Sequence, residues 1–509
     1  MKKINQLKAG AILSYISMGL TSFISLLYTP IMLRLLGQSE YGLYNLSHSI
    51  IGYLGVLDFG LGNAVVRYTA KYRELEDKES EQKLYGMFIF IYSLLGIITL
   101  FLGAFIIFNV DNFFGKTLSL VELDKMKILV TIMMLNLAIS FPFSIFSGII
   151  SAYEHFIFPK VIAIIRAIIN PLVMIPLLFL GYKAVGMAIA TTIVNIVFIG
   201  VNLYYCFVKL RIKIKFTKFD FSVLKEISGY SYYIFLNIIV DKIYWSTDQF
   251  ILGSVSGTVA VAVYSVASTI NNYYMNFSKA ISGVFLPKVT RMVTRKVSDK
   301  ELSDLFIRTG RIQYIVMSFI LCGFFIVGKE FVKVWAGIEY LEAYYIVLII
   351  MIPLTIPLIQ NLGITILQAK NMQKFRSNVY ILIALINIFL TVALSKIYGG
   401  IGAAISTAFS MIIGNIIIIN IYYYKKIKIN IPQFWKEIGI MTIPVSISLV
   451  ISIFINSFIN ISGYLGIFIK GSIFSILFII LMWIIGMNNY EKNLIEKPLN
   501  KIKEKFIKR

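Results

Sequence analysis

Two cysteines and two histidines stand among 509 residues, and only 14% of the residues are charged. Cys206 and Cys322 both lie in apolar runs, so they can build neither a disulfide framework nor a zinc site. His48 and His155 form no cluster, and no metal is expected. No P-loop, dinucleotide-binding glycine pattern or HExxH signature occurs, which leaves soluble-type catalysis little to stand on. Neither an enzyme nor a cofactor is therefore expected. A soluble chain of this length carries roughly 25% charged residues to cover its surface. The deficit excludes an ordinary cytosolic enzyme, a disordered chain and a coiled coil.

What is present is apolar. Hydrophobic residues make up 58% of the chain, and the mean hydropathy is +0.82. A bilayer core of about 30 Å is crossed by roughly 20 apolar residues in a helix. That length predicts an all-α polytopic membrane protein with about 14 crossings. The segments fall near 10–33, 41–66, 84–108, 128–150, 161–181, 184–208, 227–253, 257–285, 306–328, 343–368, 375–396, 401–423, 438–460 and 464–487. The first is too long for a signal-peptide core and no A-x-A site follows it, so an uncleaved helix is expected. With the N-terminus inside, inner segments carry 36 of the 48 Lys and Arg and outer segments carry 8. This bias predicts that both termini are cytoplasmic. The net charge of +23 is accounted for by topology, and no nucleic-acid partner is expected. The tail 488–509 places Ile495, Leu499, Ile502 and Phe506 at helical spacing among lysines. It reads either as an interfacial helix on anionic lipid or as a solvated basic tail.

The chain also repeats. GYKAVGMAIAT at 181–191 is similar to YGGIGAAISTA at 398–408. A shift of 216 carries Gly186 onto Gly402, Thr191 onto Thr407 and Leu36-Gly37 onto Leu252-Gly253. Asn170 and Asn387, and Tyr44 and Tyr264, match at nearly the same offset. Six helices separate the copies, an even number, so the two halves share one orientation: a parallel repeat about an axis along the membrane normal. The expected organisation is a lobe of six helices at 1–208, a cytoplasmic linker at 209–226 and a second six-helix lobe at 227–425. Two added helices follow at 438–487, then the basic tail at 488–509.

Polar groups at membrane depth are costly and usually face an interior cavity. The first segment carries Ser14, Ser17, Thr21, Ser25 and Tyr28 at helical spacing, and the second Asn45, His48, Gly52, Gly55 and Asp58. The seventh carries Asn237, Asp241, Tyr244 and Asp248 with Lys242 alongside, and the eighth Ser265, Ser268, Asn272, Asn276 and Lys279. The repeat makes the first and second segments equivalent to the seventh and eighth, so the four are expected to line one polar cavity. Asp241 and Lys242 lie about 12 residues, or roughly 18 Å, below the outer end of their helix. Asp58 reads as functional or as half of a structural salt bridge. Arg166 and Lys279 either face the cavity or snorkel to the interface. Arg34 reads as an outer anchor, Lys470 as a snorkelling lipid-facing residue and His48 as a packing hydrogen-bonder.

The stretch YGLYNLSHSIIGYLGVLDFGLGNAVVRYTAKYRE at 41–74 resembles the second helix of polysaccharide-unit flippases of the Wzx type, whose pattern runs roughly D-x-G-x-x-x-x-x-x-R. Asp58, Gly60, Gly62 and Arg67 carry that likeness. DQFILGSVSGTVAVAVYSVAS at 248–268, ILQAKNMQKFRSN and YGGIGAAISTAFS also resemble motifs of this branch of the multidrug/oligosaccharidyl-lipid/polysaccharide exporter superfamily. The resemblance spans about 8–425. It implies a bacterial plasma-membrane transporter that flips a polyprenyl-pyrophosphate-linked oligosaccharide to the outer leaflet by rocking two lobes. Fourteen helices rather than twelve are the number in peptidoglycan-precursor flippases, whose basic residues have partial counterparts here in Arg34 and Lys279.

A pyrophosphate needs cations in a low-dielectric cavity. Arg166, Lys242, Lys279 and Arg34 are the candidates, while Asn45, His48, Asn237, Tyr244, Asn272 and Asn276 offer polar partners to sugar. Asp58, Asp241 and Asp248 are candidates for a coupling proton or sodium, or for holding the cations in place. The expected partners are the lipid-linked glycan and anionic lipid, with polysaccharide-assembly enzymes as further candidates, and the chain is expected to be a monomer. The competing readings are a peptidoglycan-precursor flippase, an ion-coupled multidrug exporter and a membrane-bound glycan polymerase. The near balance of buried acids and bases disfavours a cation exporter, and the short outer loops disfavour a polymerase.

Overall fold

A computed structural model describes residues 6–216, 221–283, 285–370 and 372–507, with side chains at 221–234, most of 236–245 and 501–507 outside the described set. The helices are α1 (Gln6–Leu36), α2 (Gln38–Leu54), α3 (Leu61–Glu74), α4 (Lys78–Phe108), α5 (Val110–Phe114) and α6 (Leu120–Ala152). There follow α7 (Ile157–Phe179), α8 (Lys183–Tyr204), α9 (Phe221–Gly283), α10 (Leu286–Thr294), α11 (Asp299–Trp335) and α12 (Glu342–Ile359). The chain continues through α13 (Asn361–Ala369), α14 (Gln373–Met411), α15 (Ile419–Tyr422), α16 (Ile431–Ser457), α17 (Gly463–Leu481) and α18 (Asn489–Ile507). No strand occurs among the described residues. Backbone polar groups in hydrocarbon must be satisfied within their own segment, and helices do this.

Among the described residues, twelve helical segments are long and apolar enough to cross a membrane. Two of them contain a glycine that leaves the helical region, Gly257 at φ 82° and Gly399 at φ 54°. Each glycine divides its helix into two arms, at the positions where hydropathy expected one segment to end and the next to begin. Elsewhere the ends are marked by caps. Asp77 accepts from the Ser80 backbone N–H at 3.0 Å ahead of α4, and Ser119 and Glu122 form a reciprocal capping box on α6. Ser298 caps α11, and Asn430 caps α16 just before a proline in its first turn.

The chain packs into two compact units, Met1–Ser265 with Ala384–Ala403, and Val266–Ile383 with Ala404–Arg509. In the first, Tyr68, Tyr85, Phe88, Tyr92, Ile145, Ile149 and Cys206 form a buried core between α3, α4 and α6. In the second, α16 and α17 pack against α11, and Phe319 on α11 meets Phe474 and Phe478 at ring separations of 5.6 and 5.3 Å. The outward faces of α16 and α17 expose Phe454, Phe458, Tyr464, Phe468, Ile476 and Ile479. In water that face would be an aggregation liability, whereas in a bilayer it is the lipid contact.

Within the second unit, an ionic tie also joins these added helices to α11. Arg311 is buried in α11, and its Nε and Nη2 donate to the two carboxylate oxygens of Glu491 at 2.6 and 2.9 Å. Its Nη1 reaches Glu437 at 2.6 Å, and Nη2 also donates to the Gly486 carbonyl at 2.9 Å. One guanidinium therefore joins α11, α16, the turn after α17 and the first turn of α18. Arg311 falls within the segment expected at 306–328, and α11 begins at Asp299, seven residues before that segment.

Candidate functional site

The second crossing is the most irregular part of the first unit. α2 ends at Leu54, a 3₁₀ turn covers Gly55–Asp58, Phe59 and Gly60 both adopt left-handed backbone at φ 51° and 71°, and α3 starts at Leu61. The expected segment 41–66 is thus part of a rod running Gln38–Glu74, interrupted midway. Asp58 lies at this break, about 24 Å from Glu74 at the helical rise. Such discontinuities sit where backbone lines a cavity or a binding site in membrane transporters. The Asp58 carboxylate accepts from the Tyr92 hydroxyl at 2.7 Å, so it is held on the rim of the tyrosine-rich core rather than in an ion pair among the described residues. Gly60 supplies the positive φ. Gly62 is helical and faces the Tyr92 hydroxyl, 3.8 Å from the position of an added Cβ. Arg67 is exposed on α3, with its guanidinium 5.8 Å from the Tyr68 ring.

Lys242 of α9 meets this crossing from the other side. Its Nζ lies 3.0 Å from where a Cβ on Gly52 would stand, so the missing side chain makes room for the ammonium. His48 stands one turn earlier on α2 with its side chain exposed. Asn45, a further turn up, is half-buried and donates to the Tyr41 carbonyl at 2.8 Å. Of the second segment's stripe, Gly52 therefore meets Lys242 directly. The side chains of Asn237, Asp241 and Tyr244 lie outside the described residues.

Asp248 occupies a different environment. It is buried, accepts from the Tyr264 hydroxyl and from Thr391 Oγ1 at 3.3 Å, and stands next to Thr247, which accepts from Tyr53 Oη at 2.6 Å. Nearer the outer end, Glu122 accepts from Ser39 and Thr258 at 2.6 and 2.7 Å, and Thr117 donates to the Gly253 carbonyl at 2.7 Å. Lys125 pairs with Glu40. A side chain on Gly42 would collide with the Thr258 carbonyl. Together these contacts form a polar seam joining the starts of α2 and α6 to the turn at Gly257.

Arg166 turns neither to the interface nor to Lys242. Its Nη2 donates to Asn195 Oδ1 at 2.9 Å, and Asn195 in turn donates to Asn136 and Ser140, both at 2.7 Å. This network spans α6, α7 and α8. Its asparagines escaped sequence reasoning because each stands alone in an apolar run. Arg34 is exposed at the outer end of α1. Asn272, Asn276 and Lys279 belong to the second unit, where Asn272 and Lys279 are exposed and Asn276 is half-buried. Lys470 lines a groove of about 350 Å³ with Lys329 and Lys333. No group of three His, Cys, Asp or Glu residues able to hold a metal occurs among the described residues.

Residues 31–345, well over half of the chain, match the sequence profile of the polysaccharide biosynthesis protein family. The chain belongs to that family. A Shigella flexneri protein described as a candidate O-antigen transporter is 21% identical over 392 residues, covering 75% of this chain and 89% of the relative. The fold is similar to that of the lipid II flippase MurJ in an inward closed conformation, at a TM-score of 0.73 and 20% identity, with 96% and 99% of the two chains covered. It is also similar to an inward-facing multidrug-resistance MATE transporter of the MOP superfamily, at a TM-score of 0.62 and 15% identity, with 81% and 96% covered. The family member described here thus has long apolar helices able to cross a membrane and shares the fold of these solved transporters.

Proposed function

We propose that this protein flips a polyprenyl-pyrophosphate-linked oligosaccharide from the cytoplasmic to the outer leaflet for cell-surface polysaccharide assembly, by alternating access. The observation that carries the reading is the ammonium of Lys242 set against Gly52 on a crossing that breaks at Asp58–Gly60. A diphosphate leaving water loses a large solvation energy, and a cation beside open backbone offsets part of it. Sugars find hydroxyl and amide partners along the same stripe. The prenyl chain needs no site of its own, because it stays in lipid. Family membership and the O-antigen relative favour a polysaccharide repeat unit. The whole-chain similarity to a lipid II flippase supports a second reading, with a peptidoglycan precursor as cargo.

The test uses purified protein in liposomes carrying a fluorescent polyprenyl-pyrophosphate oligosaccharide, scored by exposure of the label in the opposite leaflet. Wild-type protein should flip the label. Lys242→Ala should lower the rate at least about tenfold, and Lys242→Arg should keep much of it, because a charge-assisted contact to phosphate is retained. Undiminished flipping by Lys242→Ala would remove this residue from the pathway. Efflux of an organic cation without flipping would move the protein to the multidrug branch, and a preference for lipid II would select the second reading.

A further inference from the structure

A cleft of about 490 Å³ opens in the second unit, and none of the residues assigned above to the translocation pathway lines it. Its walls come from Phe285 just ahead of α10, from α10, from the first turns of α11 and from Tyr490 of α18. Four cations line it: Lys288, Arg291, Arg295 and Arg308. The two acids present are Glu301 and Asp304. Glu301 is already engaged by the capping Ser298, whose hydroxyl donates to it at 3.3 Å. Among the described residues none of the four cations forms an ion pair, so the cleft keeps an excess of positive charge. Arg308 is steadied by the Tyr490 ring, 5.4 Å from its guanidinium carbon. Thr309, fully buried on the wall, has a hydroxyl with no hydrogen-bond partner. The remaining lining is apolar, including Met292, Leu305 and Ile312.

We infer that this cleft binds the phosphate headgroup of an anionic phospholipid of the inner leaflet. Three guanidinium forks match phosphate oxygens better than ammonium groups do. The apolar wall suits the glycerol and the first acyl carbons, which a free phosphate lacks. The cleft also lies at the start of a membrane-crossing helix, on the side to which the lysine and arginine bias assigns the cytoplasm. Basic recesses between membrane helices on that side are where anionic headgroups are held. The occupant would bridge α10, α11 and α18, a lipid contact separate from the cargo route.

The experiment places full-length protein in nanodiscs of phosphatidylglycerol and phosphatidylethanolamine. Native mass spectrometry then counts the phosphatidylglycerol retained after transfer to mild detergent. The combined Arg291→Gln, Arg295→Gln and Arg308→Gln variant should retain it about tenfold more weakly, equivalent to about 1.4 kcal/mol. A control combining Lys425→Gln and Lys426→Gln, which removes charge elsewhere in the same unit, should behave as wild type. The exposed single change Arg295→Glu gives the same reading should the triple variant not stay monodisperse. Unchanged retention in the cleft variants would overturn the site, as would equal loss in the control. Displacement of the lipid by inorganic phosphate alone would show that the cleft takes a soluble phosphate, and would overturn the lipid assignment. None of these outcomes depends on glycan flipping, so this inference and the proposed cargo fail separately.

Discussion

At the scale of single residues, charge in this protein is either held by partners or left beside open space. Asp58 and Asp248 each accept from a tyrosine hydroxyl, and Arg166 is led through Asn195 to Asn136 and Ser140. Lys242 differs, since what it faces is a glycine. The most heavily committed residue is Arg311, whose three nitrogens satisfy two carboxylates and a carbonyl. Removing one side of a buried ion pair strands the other charge and costs about 3–5 kcal/mol. Arg311→Ala should therefore lower the thermal unfolding midpoint and expose the α18 segment to protease. Arg311→Lys should recover only part of the loss, because a point charge cannot serve Glu491 bidentately while reaching Glu437. An unchanged midpoint in both variants would mean that the added helices are held by apolar packing alone.

At the scale of elements, the second crossing shows how local backbone chemistry shapes a transporter helix. Its composition is apolar enough for one continuous span, yet the rod stops at Leu54 and restarts at Leu61. Gly60 takes φ 71°, where a Cβ costs about 1–2 kcal/mol. Gly60→Ala should destabilise the protein by about that amount and slow flipping. Gly62→Ala should be neutral or slightly stabilising, since that glycine is helical and its nearest neighbour leaves ordinary contact distance. Thermal midpoints of the two purified variants compare them directly, and equal destabilisation would show that the left-handed turn is not what matters. The motif D-x-G was readable as a string of residues. Its role as a helix break was not, because a glycine in an apolar run is equally compatible with close helix packing.

At the scale of the whole molecule, the distribution of lysine and arginine sets an expectation for labelling. Cys206 and Cys322 are both buried, so a wild-type background suits added cysteines. Lys116→Cys, beyond α5, should react with an impermeant maleimide in intact cells. Lys497→Cys, on α18, should react only after permeabilisation, and the opposite pattern would reverse the orientation. The compact units also divide the chain differently from the repeat. Residues 227–265 and 384–403 of the second repeat pack with the first lobe's helices, through contacts such as Glu122–Thr258 and Thr117–Gly253.

The class of the protein, its long apolar helices and its family were legible in residue order, and the charge bias set the expectation for its orientation. Each depends on a property that accumulates along one segment: apolar length, charge bias, or a short motif. The pairing of Asp58 with Tyr92, of Asp248 with Tyr264 and Thr391, and of Arg311 with Glu437 and Glu491 was not legible. Those contacts join residues between 16 and 180 positions apart. Which face a helix turns to its neighbour is set by packing between crossings. In a chain this uniformly apolar, hydropathy barely distinguishes the lipid-facing side from the buried one. A lone polar residue acquires its meaning only from what the folded chain brings opposite it.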